Sequence, residues 1–132
     1  RPWQHVCEPL HGYLLLAENL WGQGRNFAES WNFGPSEESE APVSQIADSL
    51  AAAWGNGASW IRGDGDHPHE AGRLKLDSNK ARVRLNWRPQ LDLPTTLEWT
   101  LDWYGTERQK STDMRRKTDE QIINYLGICG PD

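Results

Sequence analysis

The sequence has few cysteines, and they are not arranged as a metal site or a disulfide framework. Cys7 and Cys129 are the only two in 132 residues, and they lie near opposite ends without the close spacing of a zinc-binding or redox pair. A disulfide-rich secreted scaffold is therefore not expected. Reduced thiols in a cytoplasmic protein are the simplest interpretation.

Basic residues and long hydrophobic runs are also scarce. The chain carries 14 Lys and Arg against 19 Asp and Glu, a formal net charge of -5. This balance disfavours partners such as nucleic acid or an anionic membrane, which are bound through clustered cations. The longest apolar run, residues 13–17, is far shorter than the roughly 20 residues that cross a bilayer, so we expect a soluble protein.

Two motifs of dinucleotide enzymes are missing. The sequence contains no G-x-G-x-x-G loop and no Tyr-x-x-x-Lys. A dinucleotide site or a hydride-transfer centre therefore cannot be assembled from this chain alone, and we expect no cofactor bound by it. The opening Arg1-Pro-Trp, without an initiator Met, indicates a chain cut from something longer.

What is present indicates one folded domain over residues 1–132. Eight Trp and a 36% hydrophobic fraction favour a packed core. Apolar residues at helical spacing predict helices that begin near Glu8, Val43, Ser78, Pro94 and Thr118. Short aromatic or alternating stretches predict strands at residues 30–34, 59–62 and 74–76. The fold class is thus predicted as mixed α/β, with short strands and about five helices.

Two segments are predicted to be irregular. Residues 35–42 are acidic and aperiodic, and are interpreted as a solvated loop. Residues 109–117 are charged and are interpreted as a linker, so that residues 109–132 form a linker and a C-terminal helix within the domain. A capping box is predicted at residues 118–121.

The loop at residues 62–73 is predicted to face a ligand, since it concentrates Gly, His, carboxylates and Arg between two apolar stretches. Its histidines, His67 and His69, could bind a metal, but the intervening Pro and the lack of a distant third ligand argue against it. Arg73 and Arg1 are candidates for phosphate binding, because guanidinium matches phosphate oxygens. A solvated surface Arg is the more common situation and is the favoured alternative for each.

Two polar residues near apolar segments have open interpretations. Asn32 lies within an aromatic stretch, where a buried amide either ties backbone together or faces a ligand. His5 either reaches a ligand or satisfies neighbouring backbone, and the second is the simpler reading. Trp3 is the tryptophan best placed to stack on a ligand.

Several blocks together closely resemble the C-terminal portion of CDP-glucose 4,6-dehydratases, which are extended short-chain dehydrogenase/reductase enzymes. The blocks are Arg1-Pro-Trp-Gln-His-Val6, Glu8-Pro-Leu-x-Gly-Tyr-Leu-Leu-Leu-Ala-Glu18, Trp31-Asn-Phe-Gly-Pro35, His67-Pro-His-Glu-Ala71, Leu74-Lys-Leu-Asp77, Trp87-Arg-Pro89 and Leu97-Glu-Trp-Thr100. They run in order over nearly the whole chain, ending in a segment like Thr118 to Tyr125.

The resemblance implies a cytoplasmic lyase with tightly held NAD, which converts CDP-glucose to CDP-4-keto-6-deoxyglucose and water. The family's Gly-rich NAD loop and catalytic Thr, Tyr and Lys belong to an upstream Rossmann half that this chain lacks. This chain resembles the small substrate-binding domain, inactive alone, with the upstream half and a nucleotide sugar as its partners. An isolated copy would leave apolar surface open and is expected to self-associate.

Carried over by motif, the resemblance implies substrate binding by Arg1, Asn32, His67, His69 and Glu70. Arg73, the phosphate-binding candidate of the same loop, completes the predicted set. Arg1 corresponds to the family's pyrophosphate-contacting Arg. Asn32 corresponds to the Asn of an Asn-Ile-Gly strand in related dehydratases. A stand-alone nucleotide-sugar-binding module, or a structural remnant that no longer binds, remains open as an alternative.

Glu70 stands where dTDP-glucose relatives have a His, and it could accept a hydrogen bond from the exocyclic amine of cytosine. We predict that Glu70→Gln lowers the preference for CDP over dTDP, measured by calorimetric titration of both nucleotides. Unchanged discrimination would contradict a role in reading the base.

Overall fold

The computed structural model describes residues 1–63, 65, 74–108 and 113–130, and within them the chain is helical. The α-helices are α1 (Cys7–Gln23), α2 (Val43–Trp54), α3 (Asn79–Arg84), α4 (Leu93–Arg108) and α5 (Met114–Cys129). Short 3₁₀ turns occupy Gly24–Phe27 and Glu37–Ser39. None of these helices combines the length and the hydrophobicity needed to cross a membrane.

The first four helices lie close to their predicted positions because their boundaries are encoded locally. Gly24 and Gly55 follow α1 and α2 with positive φ of 58° and 68°, a conformation that glycine adopts without strain. On α2, Ile46 turns inward on the predicted apolar face. Local spacing was therefore sufficient to predict these elements.

The predicted strands are wrong, and with them the mixed α/β fold class. In the described part of the chain the only β pairing is an isolated antiparallel bridge between Pro2 and Glu40, and residues 30–34, 59–62 and 74–76 are irregular. Backbone N–H and carbonyl groups that a sheet would pair with each other are instead hydrogen-bonded to side chains. The Gly34 N–H donates to Ser78 Oγ at 2.8 Å, and Gln4 Nε2 donates to the Phe33 carbonyl at 3.0 Å. An extended segment without a partner strand does not form a ladder.

The two segments predicted to be irregular also need correction. α5 begins at Met114, where Asp113 caps it by accepting from the Arg115 and Arg116 N–H groups, so residues 114–117 are helical and Thr118 is not a cap. In the stretch at 35–42, Ser39 and Ala41 are buried rather than solvated. Residues 109–112 lie outside the described part of the chain.

The core is small and aromatic. It consists of Phe27, Phe33, Ala81, Leu85 and Trp87, with Leu15, Leu16 and Trp31 packed against it. Phe33 and Trp87 meet edge to face at 5.1 Å between ring centroids. Helix α1 approaches the core through Gly12, where a Cβ would lie 2.3 Å from the Phe33 ring, so only glycine fits at this position.

Cations and aromatic rings join α3 to residues 27–31. The Arg84 guanidinium lies 5.2 Å from the Trp31 ring centroid, and Lys80 Nζ lies 4.9 Å from the same ring. Glu29 accepts hydrogen bonds from both Lys80 and Arg84, which hold its pKa below the usual value. These contacts hold α3, whose first residues line the cleft described below, against residues 27–31.

A buried carboxylate connects the two ends of the chain. Glu8 is 1% exposed, and its Oε1 accepts from the backbone N–H groups of Gln90 and Leu91 at 2.8 and 2.7 Å. Its Oε2 accepts from the Tyr125 hydroxyl at 2.7 Å, and its backbone carbonyl accepts from Trp87 Nε1 at 3.1 Å. Glu8 thus ties α1 to the turn before α4 and to α5.

Removing the Tyr125 hydroxyl, one of the hydrogen-bond donors to the buried Glu8 side chain, should lower the stability of the fold. We predict that Tyr125→Phe lowers the free energy of unfolding by about 1–3 kcal/mol, since Glu8 Oε2 would lose its hydroxyl partner in a buried site. The measurement is urea denaturation. Tyr104→Phe, on an exposed tyrosine, is the matched control and should change stability by less than about 0.5 kcal/mol. Equal losses in both variants would contradict the role of Glu8.

Candidate functional site

A polar cleft of about 410 Å³ opens between residues 35–40 and residues 75–82. Pro2 also lines it. One side is formed by residues 35–40, which include the 3₁₀ turn Glu37–Ser39, and the other by residues 75–78 and the start of α3. It is therefore built by three parts of the chain that are distant in sequence.

The first wall is formed where the N-terminal residues lie against residues 39–41. The Ala41 N–H donates to the Arg1 carbonyl at 3.1 Å, and the Trp3 N–H donates to the Ser39 carbonyl at 3.3 Å. Trp3 Nε1 also donates to the Ala41 carbonyl at 3.0 Å. This indole therefore anchors the wall, and the stacking of a ligand on Trp3 stays a prediction.

The second wall is formed where residues 32–34 meet the start of α3. Asn32 Nδ2 donates to the Asp77 carbonyl at 3.2 Å, and Ser78 Oγ receives the Gly34 N–H. Asp77 Oδ1 in turn accepts the Asn79 N–H at 2.9 Å. Of the two open interpretations of Asn32, the observed contact is the one that ties backbone together, although the residue is exposed beside the cleft.

The cleft is charged with both signs. Lys75 pairs with Glu37 across its mouth, and Arg82 also lines it. Glu40 and Asp77 contribute carboxylates, and Ser36 and Ser78 contribute hydroxyls. Such a surface suits a polar ligand that carries both anionic groups and hydrogen-bonding hydroxyls.

The structure describes two of the six residues predicted to bind substrate, Arg1 and Asn32. Arg1 is paired through its backbone with Ala41 and precedes the lining residue Pro2, and Asn32 is hydrogen-bonded to the lining residue Asp77. His67, His69, Glu70 and Arg73 lie outside the described residues. The stretch that follows them contributes Lys75 and Leu76 to the cleft. Within the described part of the chain, no cluster of three or more His, Cys, Asp or Glu could hold a metal.

Sequence reasoning did not identify three lining residues, Lys75, Ser78 and Arg82. The sequence pattern predicts only a strand at residues 74–76 and a helix that begins near Ser78. The block Leu74-Lys-Leu-Asp77 was a motif of the resemblance and could have drawn attention to Lys75. Nothing in the local pattern marks Ser78, because its role depends on Gly34 in a distant segment.

His5 lies beyond the first wall and is buried beside α1. Its Nδ1 accepts the Cys7 N–H at 3.3 Å, and its ring meets Trp99 edge to face at 5.6 Å. This is the predicted role of satisfying neighbouring backbone. Burial lowers the pKa of His5 despite the attraction of Glu8, and burial together with the Glu8 and Cys129 charges raises the pKa of the Cys7 thiol. Both groups are therefore held neutral.

The lowered pKa of His5 gives a pH dependence. Above its usual pKa of 6.5 the imidazole is neutral in both folded and unfolded chains. As pH falls below that value the unfolded chain takes up a proton that the folded chain resists, so stability is lost. We predict a decline in unfolding free energy between about pH 7 and pH 5.5, measured by urea denaturation, with a shallower slope in His5→Gln. An unchanged slope in the variant would contradict this assignment.

Comparison with known proteins gives one relative. No protein-family model matches the chain. Over 126 residues, 96% of the chain, the sequence is 46% identical to a CDP-glucose 4,6-dehydratase from Salmonella typhimurium. The matched part is the C-terminal region of that protein, and the chain spans only 35% of its length.

Proposed function

Because the chain is homologous to the C-terminal part of a CDP-glucose 4,6-dehydratase, as its motifs predicted, we propose that it is the substrate-binding portion of such an enzyme. The observation that carries this proposal is the identity of 46% across nearly the whole chain. The proposed ligand is CDP-glucose or a related nucleotide sugar.

The cleft supports this proposal through its charges. A nucleotide sugar presents a diphosphate and several hydroxyl groups, and Arg and Lys suit the first while carboxylates and hydroxyls suit the second. Lys75 and Arg82 line the cleft, and Arg1 directly precedes Pro2, which also lines it. We propose that Arg1 contacts the diphosphate and that Asn32 lies beside the sugar. His67, His69, Glu70 and Arg73 complete the proposed set from the neighbouring loop.

NAD does not fit the residues of this chain. A dinucleotide is bound where a strand leads through a Gly-rich loop into a helix, whose N-terminus receives the pyrophosphate. The described residues contain no such unit, and the sequence has neither the loop nor the Tyr-x-x-x-Lys pair. We therefore propose that NAD and the redox step belong to an upstream portion, and that the present chain alone is inactive.

The chain's own task in this proposal is recognition. Oxidation at C4 of the glucose, loss of water across C5 and C6, and return of the hydride to C6 would take place on a sugar that this portion holds by its nucleotide. A cytoplasmic location agrees with the two free cysteines in the described part of the chain.

The experiment is calorimetric titration of the chain with CDP, CDP-glucose, dTDP and UDP-glucose. We predict preference for the two cytidine ligands. Arg1→Gln should weaken CDP binding by about tenfold or more, because a hydrogen bond to a charged group is lost. Arg115→Gln, which removes an exposed Arg from α5, is the matched control and should leave binding unchanged.

Two results would contradict the proposal. One is equal binding of all four nucleotides, and the other is no binding of any. An equal loss in Arg1→Gln and Arg115→Gln would mean that net charge, rather than a contact from Arg1, governs affinity.

A further inference from the structure

The polar cleft carries more acidic than basic side chains. Glu37, Glu40 and Asp77 line it, together with Lys75 and Arg82. Sites for highly charged phosphates usually surround the anion with an excess of cationic groups and N–H donors. The cleft is therefore suited to a phosphate ligand whose negative charge is limited.

One of these acids is paired with one of the cations. Glu37 forms an ion pair with Lys75 across the mouth of the cleft. The side chain of Glu37 is 78% exposed and that of Lys75 is 56% exposed. An exposed pair of this kind contributes little to the stability of a fold, so a ligand can open it at small cost. A phosphate that approaches Lys75 must therefore compete with the Glu37 carboxylate.

Glu37 also stays close to any phosphate that Lys75 binds. Its backbone belongs to the 3₁₀ turn Glu37–Ser39, and Ser39 is buried, with its carbonyl accepting the Trp3 N–H at 3.3 Å. The carboxylate can therefore rotate away from Lys75, but it cannot leave the mouth of the cleft. Its repulsion of a bound anion rises with the charge of that anion.

The ligands of the proposed function differ in charge at the diphosphate. Both phosphates of CDP-glucose are esterified, so its diphosphate carries about −2 at pH 7. The terminal phosphate of CDP is not esterified at its outer end. With a second pKa near 6 it carries about −1.5 to −2 by itself, which brings the diphosphate of CDP to about −3. The glucose of CDP-glucose also presents hydroxyl groups, which donate hydrogen bonds to carboxylates.

We propose that Glu37 is a specificity-determining residue, which competes for Lys75 and thereby favours a sugar nucleotide over the free nucleoside diphosphate. This inference rests on the proposed function. With CDP-glucose, Lys75 turns to the diphosphate, and the displaced Glu37 carboxylate accepts a hydrogen bond from a sugar hydroxyl. With CDP, the same carboxylate faces a more highly charged phosphate and gains no sugar hydroxyl. A site with this preference holds the substrate and rejects its hydrolysed form.

The test is calorimetric titration of the chain and of Glu37→Gln with CDP and CDP-glucose at low ionic strength, where exposed charges are least screened. Glu37→Gln should tighten CDP binding about tenfold, because it removes the competitor of Lys75 and a nearby like charge. Binding of CDP-glucose should tighten by less than about threefold, because the hydroxyl loses a charged acceptor and keeps only a neutral one. The preference for CDP-glucose over CDP should therefore fall by about threefold or more.

Glu38→Gln is the matched control. Glu38 is adjacent to Glu37 and exposed, but it is not among the residues that line the cleft. Its substitution makes the same change in net charge and should alter either affinity by less than about twofold. Equal tightening in Glu37→Gln and Glu38→Gln would mean that net charge governs the affinity, and it would overturn the proposal.

Lys75→Gln tests the competition itself. This variant should weaken the binding of both ligands, because a cation that contacts the diphosphate is lost. In a double-mutant cycle, Glu37→Gln should tighten CDP binding clearly less in the Lys75→Gln background than in the parent. Melting temperatures within about 2 °C of the parent are expected for all variants, since the pair is exposed. An undiminished effect of Glu37→Gln in that background would overturn the competition for Lys75.

Two outcomes separate this inference from the proposed function. A preference for CDP-glucose over CDP that Glu37→Gln leaves unchanged would overturn the role of Glu37 and leave the proposed function standing. Failure of the chain and of every variant to bind CDP-glucose would reject the proposed function, and the inference with it.

Discussion

The buried carboxylate of Glu8 is the constraint on which the rest of the structure depends. A carboxyl group in a nearly dry site is tolerated only when its oxygens are hydrogen-bonded, and here two backbone amides and the Tyr125 hydroxyl serve that purpose. Its place in the first turn of α1 adds the favourable end of the helix dipole. The three donors come from the turn before α4 and from α5, so one side chain sets how three segments meet.

The position of α1 then determines the character of two surfaces of the domain, one polar and one apolar. The residues that precede the helix form the first wall of the polar cleft, where Arg1 adjoins Pro2. The helix itself turns an apolar stripe outward. The domain therefore separates a charged, polar surface from an exposed apolar surface, and a short stretch of chain leads from one to the other.

Sequence reasoning succeeded where the information was local. The helices ending at Gly24 and Gly55 follow from side-chain spacing and from glycines that accept positive φ. The strands failed because pairing is decided by a distant partner, and in this chain the Ser78 hydroxyl and the Gln4 amide satisfy the backbone of residues 33 and 34 instead. By its sequence pattern alone, Glu8 is an acidic residue in a first helical turn, where such residues are common. Its burial could not be predicted, because its donors lie more than eighty residues away. The family resemblance was found because it needed only short motifs in order.

The span of the Glu8 contacts also bears on how the protein is made. Tyr125 is 117 positions from Glu8 in sequence. During synthesis Glu8 leaves the ribosome well before Tyr125, so its Oε2 can accept this hydrogen bond only after α5 has emerged. Contacts of such long separation carry a large loop-closure entropy and make folding slow. Premature release of a chain that stops before Tyr125 would therefore yield a product unable to complete its native structure.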